Sequence, residues 1–223
     1  MLSLHYVKSM TTDQIATTAF VADAVSGLGG VPLADVLLVG NSAGATDIDM
    51  SGNSVLAALR YECSGTTGQV RVGTDSGLTS QGSSAVAIGN SAGRTTQGTS
   101  AVAVGVSAGQ TTQGASAVAV GDSAGFDGQL ASAVAVGSGA GNSGQGESSV
   151  AIGSSAGQTT QGNTAVAVGN LAGNSGQLAN AVAVGVNAGR TTQGSSAVAI
   201  GRQAGQIMQG ADAVAVGSLA GQS

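Results

Sequence analysis

The chain has 223 residues, 39 of them glycine, with 2% aromatic and 8% charged residues, one cysteine and a formal net charge of −5. So few aromatic and charged residues exclude an ordinary mixed core, and a mean hydropathy of +0.27 excludes a highly charged disordered chain. The acidic balance, with a pI near 4.4, offers no basic footprint for nucleic acid or an anionic lipid surface. No apolar run approaches the roughly 20 residues that span a bilayer, so no membrane insertion is expected.

Residues 1–34 form the first unit. Thr11-Thr12-Asp13-Gln14 offers an N-cap, and Ile15, Ala16, Ala19, Phe20 and Ala24 follow at helical spacing before Gly27, Gly29, Gly30 and Pro32. The pattern predicts a short N-terminal helical segment that attaches the protein to a partner. The first residues lack the uninterrupted apolar stretch of a secretory signal.

Residues 35–68 read as an irregular transition with one coil-like unit. Val36-Leu37-Leu38-Val39-Gly40-Asn41-Ser42-Ala43-Gly44 resembles the downstream repeats but lies 49 residues before the Gly89 copy, not a multiple of the period. Asp47-Ile48-Asp49-Met50-Ser51-Gly52 superficially resembles a calcium loop, yet Ala58 stands where the bidentate Glu is needed. No metal is expected there. Tyr61 and Cys63 read as packing residues.

From residue 69 to 223 the sequence repeats. Ala85-Val86-Ala87-Ile88-Gly89 returns every 16 residues through Ala213-Val214-Ala215-Val216-Gly217, with Ser149 replacing one alanine, and Gln69–Gly73 is a degenerate first copy. Ala92-Gly93 recurs in the same register. A fixed period with fixed columns means that equivalent residues stack, the signature of a solenoid. Sixteen residues are too few for a helical pair, and Val, Ile and regularly placed Gly favour strands and turns. The fold expected is therefore all-β: a parallel β-roll of about ten coils, each rising by ~4.8 Å.

Alternation within the strand sorts its side chains into two sets. The large set is expected to fill the interior of the roll: Val86, Ile88, Val102, Val104, Val118, Val120, Val134, Val136, Val150, Ile152, Val166, Val168, Val182, Val184, Val198, Ile200, Val214 and Val216. The small set, including Ala85, Ala87, Ala101, Ala103, Ala117 and Ala119, is expected to face sister chains in a homotrimer, because an apolar stripe of this length marks an interface. Gln81, Gln97, Gln113, Gln129, Gln145, Gln161, Gln177, Gln193 and Gln209 form a column expected to stack as an amide ladder.

Chemistry-bearing residues are scattered. His5 is the sole histidine, Cys63 the sole cysteine, and no phosphate-cradling Gly-x-x-x-x-Gly-Lys occurs. No enzyme and no cofactor are expected. In the array Asp122, Asp127, Glu147, Asp212, Arg94, Arg190 and Arg202 carry the charge and are placed in turns, where charges protect sheet edges.

The units Ser84–Gly89 and Ser148–Gly153 resemble the Ser-Val-Ala-Ile-Gly head repeats of YadA-like trimeric autotransporter adhesins, over about 155 residues. Similar repeats also resemble those of fibre and appendage proteins of large-genome phages and algal viruses. The resemblance implies a left-handed roll, three of which pack into one head. The family unit is nearer 14 residues than 16. The function expected is a non-enzymatic trimeric fibre or spike at the virion surface, held by other virion proteins through the N-terminal segment, with a host surface receptor as a further partner. A cell-surface adhesin head binding receptor or glycan is the alternative. Thr-Thr pairs at 95–96, 111–112, 159–160 and 191–192 raise ice binding as a third, but the row is interrupted.

Overall fold

The computed structural model describes residues 68–222. The expected helix within 1–34, the coil-like unit at 36–44, the 45–67 insert, His5, Tyr61 and Cys63 lie outside the described residues.

The chain order is β1 (Val70–Val72), β2 (Val86–Ile88), β3 (Thr96–Gln97), β4 (Val102–Val104), β5 (Thr112–Gln113), β6 (Val118–Val120), β7 (Val134–Val136), β8 (Ser143–Gln145) and β9 (Val150–Ile152). It continues with β10 (Thr159–Gln161), β11 (Val166–Val168), β12 (Ser175–Gln177), β13 (Val182–Val184), β14 (Thr191–Gln193), β15 (Val198–Ile200), β16 (Ile207–Gln209) and β17 (Val214–Val216). Ten strands form one long sheet in the order β1-β2-β4-β6-β7-β9-β11-β13-β15-β17. A second wall holds β16-β14-β12-β10-β8 and the pair β3-β5, linked by bridges at Gln113–Gln129 and Asp127–Ser143. The described residues therefore form an all-β parallel solenoid.

Register is set by the repeat. Val86 pairs with Val102, Ala87 with Ala103 and Ile88 with Val104, and the same 16-residue step runs to Val198–Val214. Each coil is also tied to its neighbours through the turns, as in Gly93 N–H to Ala108 O (2.8 Å), Ser107 N–H to Asn90 O (2.8 Å) and Gly105 N–H to Ile88 O (2.8 Å). Identical residues meet identical residues, so one local geometry is repeated and each coil contacts only its neighbours.

The turns use left-handed backbone heavily. Gly105 has φ +130°, and a Cβ there would lie 2.5 Å from Gly121 O of the next coil, so both conformation and stacking require glycine. Serines share the burden: Ser84, Ser100, Ser116 and Ser132 all sit near φ +58°.

The inside and outside of the long sheet are the reverse of the sequence expectation. Ala85, Ala87, Ala101, Ala103, Ala117 and Ala119 are fully buried inside the roll and do not face a sister chain. The residues expected in the core point outward: Val86, Ile88, Val102, Val104, Val118, Val120, Val134, Val136, Val150, Ile152, Val166, Val168, Val182, Val184, Val198, Ile200, Val214 and Val216 are half-buried or exposed. The cause is the thickness of the roll. The two walls approach until Ala87 packs with Ala92, and the remaining width is filled by the Gln97 side chain. A Cβ at Gly93 would already lie 2.7 Å from the Gln97 amide. Such a slot accepts methyl groups and a flat amide but not rows of Val and Ile.

Candidate functional site: the amide spine and the aliphatic face

Nine glutamines line the interior. Gln97, Gln113, Gln129, Gln145, Gln161, Gln177 and Gln193 are the largest fully buried side chains of the described chain, together with Ser149. Burying an amide is tolerable only when its hydrogen bonds are replaced. Gln113 shows how: Nε2 donates to Val102 O (2.8 Å), shares a longer bond with Ala117 O (3.4 Å) and reaches Gln129 Oε1 (3.1 Å). The strand carbonyl and the amide of the next coil are both engaged, so Gln113 clips neighbouring coils together.

The ladder runs Gln97→Gln113→Gln129 and again Gln161→Gln177→Gln193→Gln209. It is interrupted around Gln145, whose Nε2 donates only to Val134 O (2.7 Å) and whose Oε1 is buried without a partner. The interruption coincides with Ser149, which stands in place of alanine in its column and whose hydroxyl donates to Gly146 O (2.7 Å).

Gln81, which lies outside the continuous ladder, is met by Arg71 of β1. Arg71 occupies the column of Ala87, and its Nε donates to Gln81 Oε1, the atom by which Gln113, Gln129, Gln177, Gln193 and Gln209 accept from the glutamine before them. A second guanidinium nitrogen donates to Gln69 Oε1 (3.1 Å). Nothing in the pattern of the repeat announces this role, although the break in the Ala column at Arg71 was visible.

On the outer surface, ten parallel strands each present two Val or Ile side chains, from Val70 and Val72 to Val214 and Val216. Nine strand spacings of ~4.8 Å make this stripe about 43 Å long. Ile88, Ile152 and Ile200 are 38%, 40% and 41% exposed, so even in the middle of the sheet the branched side chains stand half in water. No charged residue interrupts the stripe from Val86 to Val216; the facing wall is mostly polar, with Thr, Ser, Gly and Asp127 beside the buried glutamines, and exposed Ile207 and Met208 in β16.

The described charged residues do not converge. Arg94 Nε lies 4.0 Å from Asp75 Oδ2, with both side chains about half exposed, a pair of small energetic weight. Among the described residues no group of three or more His, Cys, Asp or Glu could hold a metal ion, and no helix is long and apolar enough to cross a membrane. No protein family, curated protein or solved structure was found to match the chain.

Proposed function

We propose that the protein is a non-enzymatic structural element, one strand of a trimeric fibre or spike on a virion, in which the Val/Ile faces of three rolls pack around a common axis. The observation that carries this reading is the unbroken aliphatic stripe along the whole long sheet. An apolar face of that length, on a rod whose opposite wall is mostly polar, is a lateral interaction surface. Three copies bury three such stripes against one another in a closed arrangement, which a cyclic assembly requires. The partner-facing residues are then the Val and Ile columns, while the alanines keep their place inside each roll. The resemblance of Ser84–Gly89 to adhesin and viral-fibre repeats supports the choice of a projecting fibre, with the N-terminal segment as its attachment.

Native mass spectrometry tests the assembly. Three times 20.9 kDa is expected, and Val118→Ser with Val134→Ser should release monomer. A stable wild-type monomer overturns the reading. Immunogold labelling of purified particles against labelling of intact cells separates a virion fibre from a cell-surface adhesin head, the second reading.

A further inference from the structure

The second wall is weakest between β5 and β8. There the pairing shrinks to the isolated bridges Gln113–Gln129 and Asp127–Ser143, and the chain reads Asp127-Gly128 where most coils carry Thr-Thr or Ser-Gly. Asp127 is exposed, and Gly128 has φ +69°. Asp127 N–H donates to Asn142 O (2.9 Å) and Asp127 O accepts from Gly144 N–H (3.0 Å), but Gly128 N–H has no hydrogen-bond partner among the described residues. Every other Asp or Asn from residue 68 to 222 is followed by an N–H that donates to a backbone carbonyl. Ser91 N–H bonds Thr74 O (2.8 Å), Ser123 N–H bonds Val106 O (2.8 Å), Ser143 N–H bonds Gln158 O (2.9 Å) and Ser175 N–H bonds Arg190 O (2.9 Å). In those four pairs the intervening carbonyl accepts a bond as well, so turning the peptide breaks at least two bonds, whereas at Asp127-Gly128 it breaks one.

An aspartyl carboxyl and the nitrogen of the following residue are one bond away from a five-membered ring. We propose that Asp127-Gly128 is a modification site of the roll, at which the chain converts spontaneously to isoaspartate through a succinimide. Gly128 N attacks Asp127 Cγ and forms the N–Cγ bond, while one carboxyl oxygen leaves as water with the amide hydrogen and the carboxyl proton. Water then adds to the ring. Opening at Cγ restores aspartate; opening at the former backbone carbonyl breaks its bond to Gly128 N and leaves the main chain running through Cβ and Cγ. The water lost in the first step is regained in the second, and nothing is oxidised or reduced. The unbonded N–H is the nucleophile, glycine adds no side chain to obstruct it, and the exposed carboxyl admits water. The product has one more carbon in its main chain and a free carboxylate where Gly144 N–H meets the Asp127 carbonyl. In a roll held by a 16-residue register, that defect falls where the second wall has least pairing. The site does not depend on lateral assembly, because it lies on the wall opposite the aliphatic stripe.

Prolonged incubation of the full chain at neutral pH tests this, read by peptide mapping with fragmentation that tells isoaspartate from aspartate. Isoaspartate is expected at Asp127 and at no other Asp or Asn between residues 68 and 222. In heavy-oxygen water each isomerised chain should gain one heavy oxygen, the mark of ring opening by solvent. The same incubation in denaturant should add reaction at Asn90, Asn142 and Asn174, each followed by serine, because unfolding frees their neighbouring N–H groups. Gly128→Thr keeps the carboxyl, fits a column where Thr160 and Thr192 hold φ +53° and +51°, and should slow the conversion several-fold. Hydrogen exchange at Gly144 should rise with incubation in wild type and stay constant in Asp127→Ser, whose Ser-Gly pair copies Ser143-Gly144. An unmodified Asp127 in the folded chain, under conditions in which the denatured chain reacts, overturns the proposal. Equal reaction at Asn142 or Asn174 in the folded chain overturns it as well.

Discussion

Gln113 Nε2 donates to Gln129 Oε1 at 3.1 Å, one full coil away, inside a wall of alanine methyl groups. The contact makes the interior of this roll polar along its axis and apolar around it. Replacing Gln113 by Leu keeps roughly the volume but removes the donor to Val102 O and Gln129 Oε1 and the acceptor for Gln97 Nε2. Unpaired buried polar groups cost about 1–3 kcal/mol each, so a loss of about 2–4 kcal/mol is expected, read by denaturant unfolding. Hydrogen exchange should rise most in the coils between Gln97 and Gln129, because coupling in a solenoid is between neighbours.

A carboxyl in the same place turns this into a pH dependence. In Gln113→Glu, burial disfavours the ionised form and raises the folded-state pKa above the unfolded value of about 4.3. The native state then binds more protons than the unfolded chain between those two values. Stability should be near that of the neutral side chain below pH ~4, fall as pH rises, and level off above the raised pKa. Thermal melts at acid and neutral pH check the sign; a variant more stable at neutral pH would contradict the buried spine.

The 16-residue period, the parallel strands and the glutamine column could all be read from the sequence because each is a property of spacing. Which set of strand side chains faces inward could not, because alternation fixes two faces without naming them. The rule that the larger apolar side chains go inside fails here for a specific reason. The opposite wall sends Gln97 and its equivalents into the same space, and a strand carbonyl such as Val86 O must be within reach of the amide. Volume taken by glutamine is volume denied to valine. The signal was present in the Ala-Gly pairs beside each glutamine, since Gly109 leaves room for Gln113 where a Cβ would lie 2.7 Å from Oε1.

Ala119→Leu and Val118→Ser separate the two faces. Ala119 is fully buried between Ala103 and Ala135, so a larger side chain must push the walls apart, and a loss of more than about 3 kcal/mol or a failure to fold is expected. Val118 points outward, and in a dispersed single chain its replacement by Ser should cost about 1 kcal/mol or less. The same serine should weaken lateral association strongly. Equal effects of the two changes on monomer stability would return the valines to the interior.

Gly105→Ala tests the stacking of the turns. The added methyl carbon meets Gly121 O at 2.5 Å in a backbone conformation of φ +130° that alanine disfavours. Neither strain can be relieved by a side-chain rotation, because the contacted atom is backbone. A loss of about 2–3 kcal/mol is expected, larger than the roughly 1 kcal/mol of an ordinary exposed substitution.

Leu171→Asn should go the other way. Leu171 has φ +57° in a column that also holds Ser155 (φ +53°), Asn187 (φ +57°), Gly139 (φ +65°), Gln203 (φ +59°) and, in the last coil, a second leucine, Leu219 (φ +64°). A β-carbon in the left-handed region costs about 1–2 kcal/mol, and asparagine tolerates it better than leucine because its short amide bonds locally. The Leu171 N–H to Ser154 O bond (3.0 Å) belongs to the backbone and survives the change. Leu171 is only half-buried, so little packing is lost. A gain of about 0.5–1 kcal/mol is therefore expected in chemical denaturation of the single chain. A loss of stability would mean that the leucine side chain covers apolar surface whose burial outweighs the backbone strain, and would place Leu171 in a contact rather than a turn.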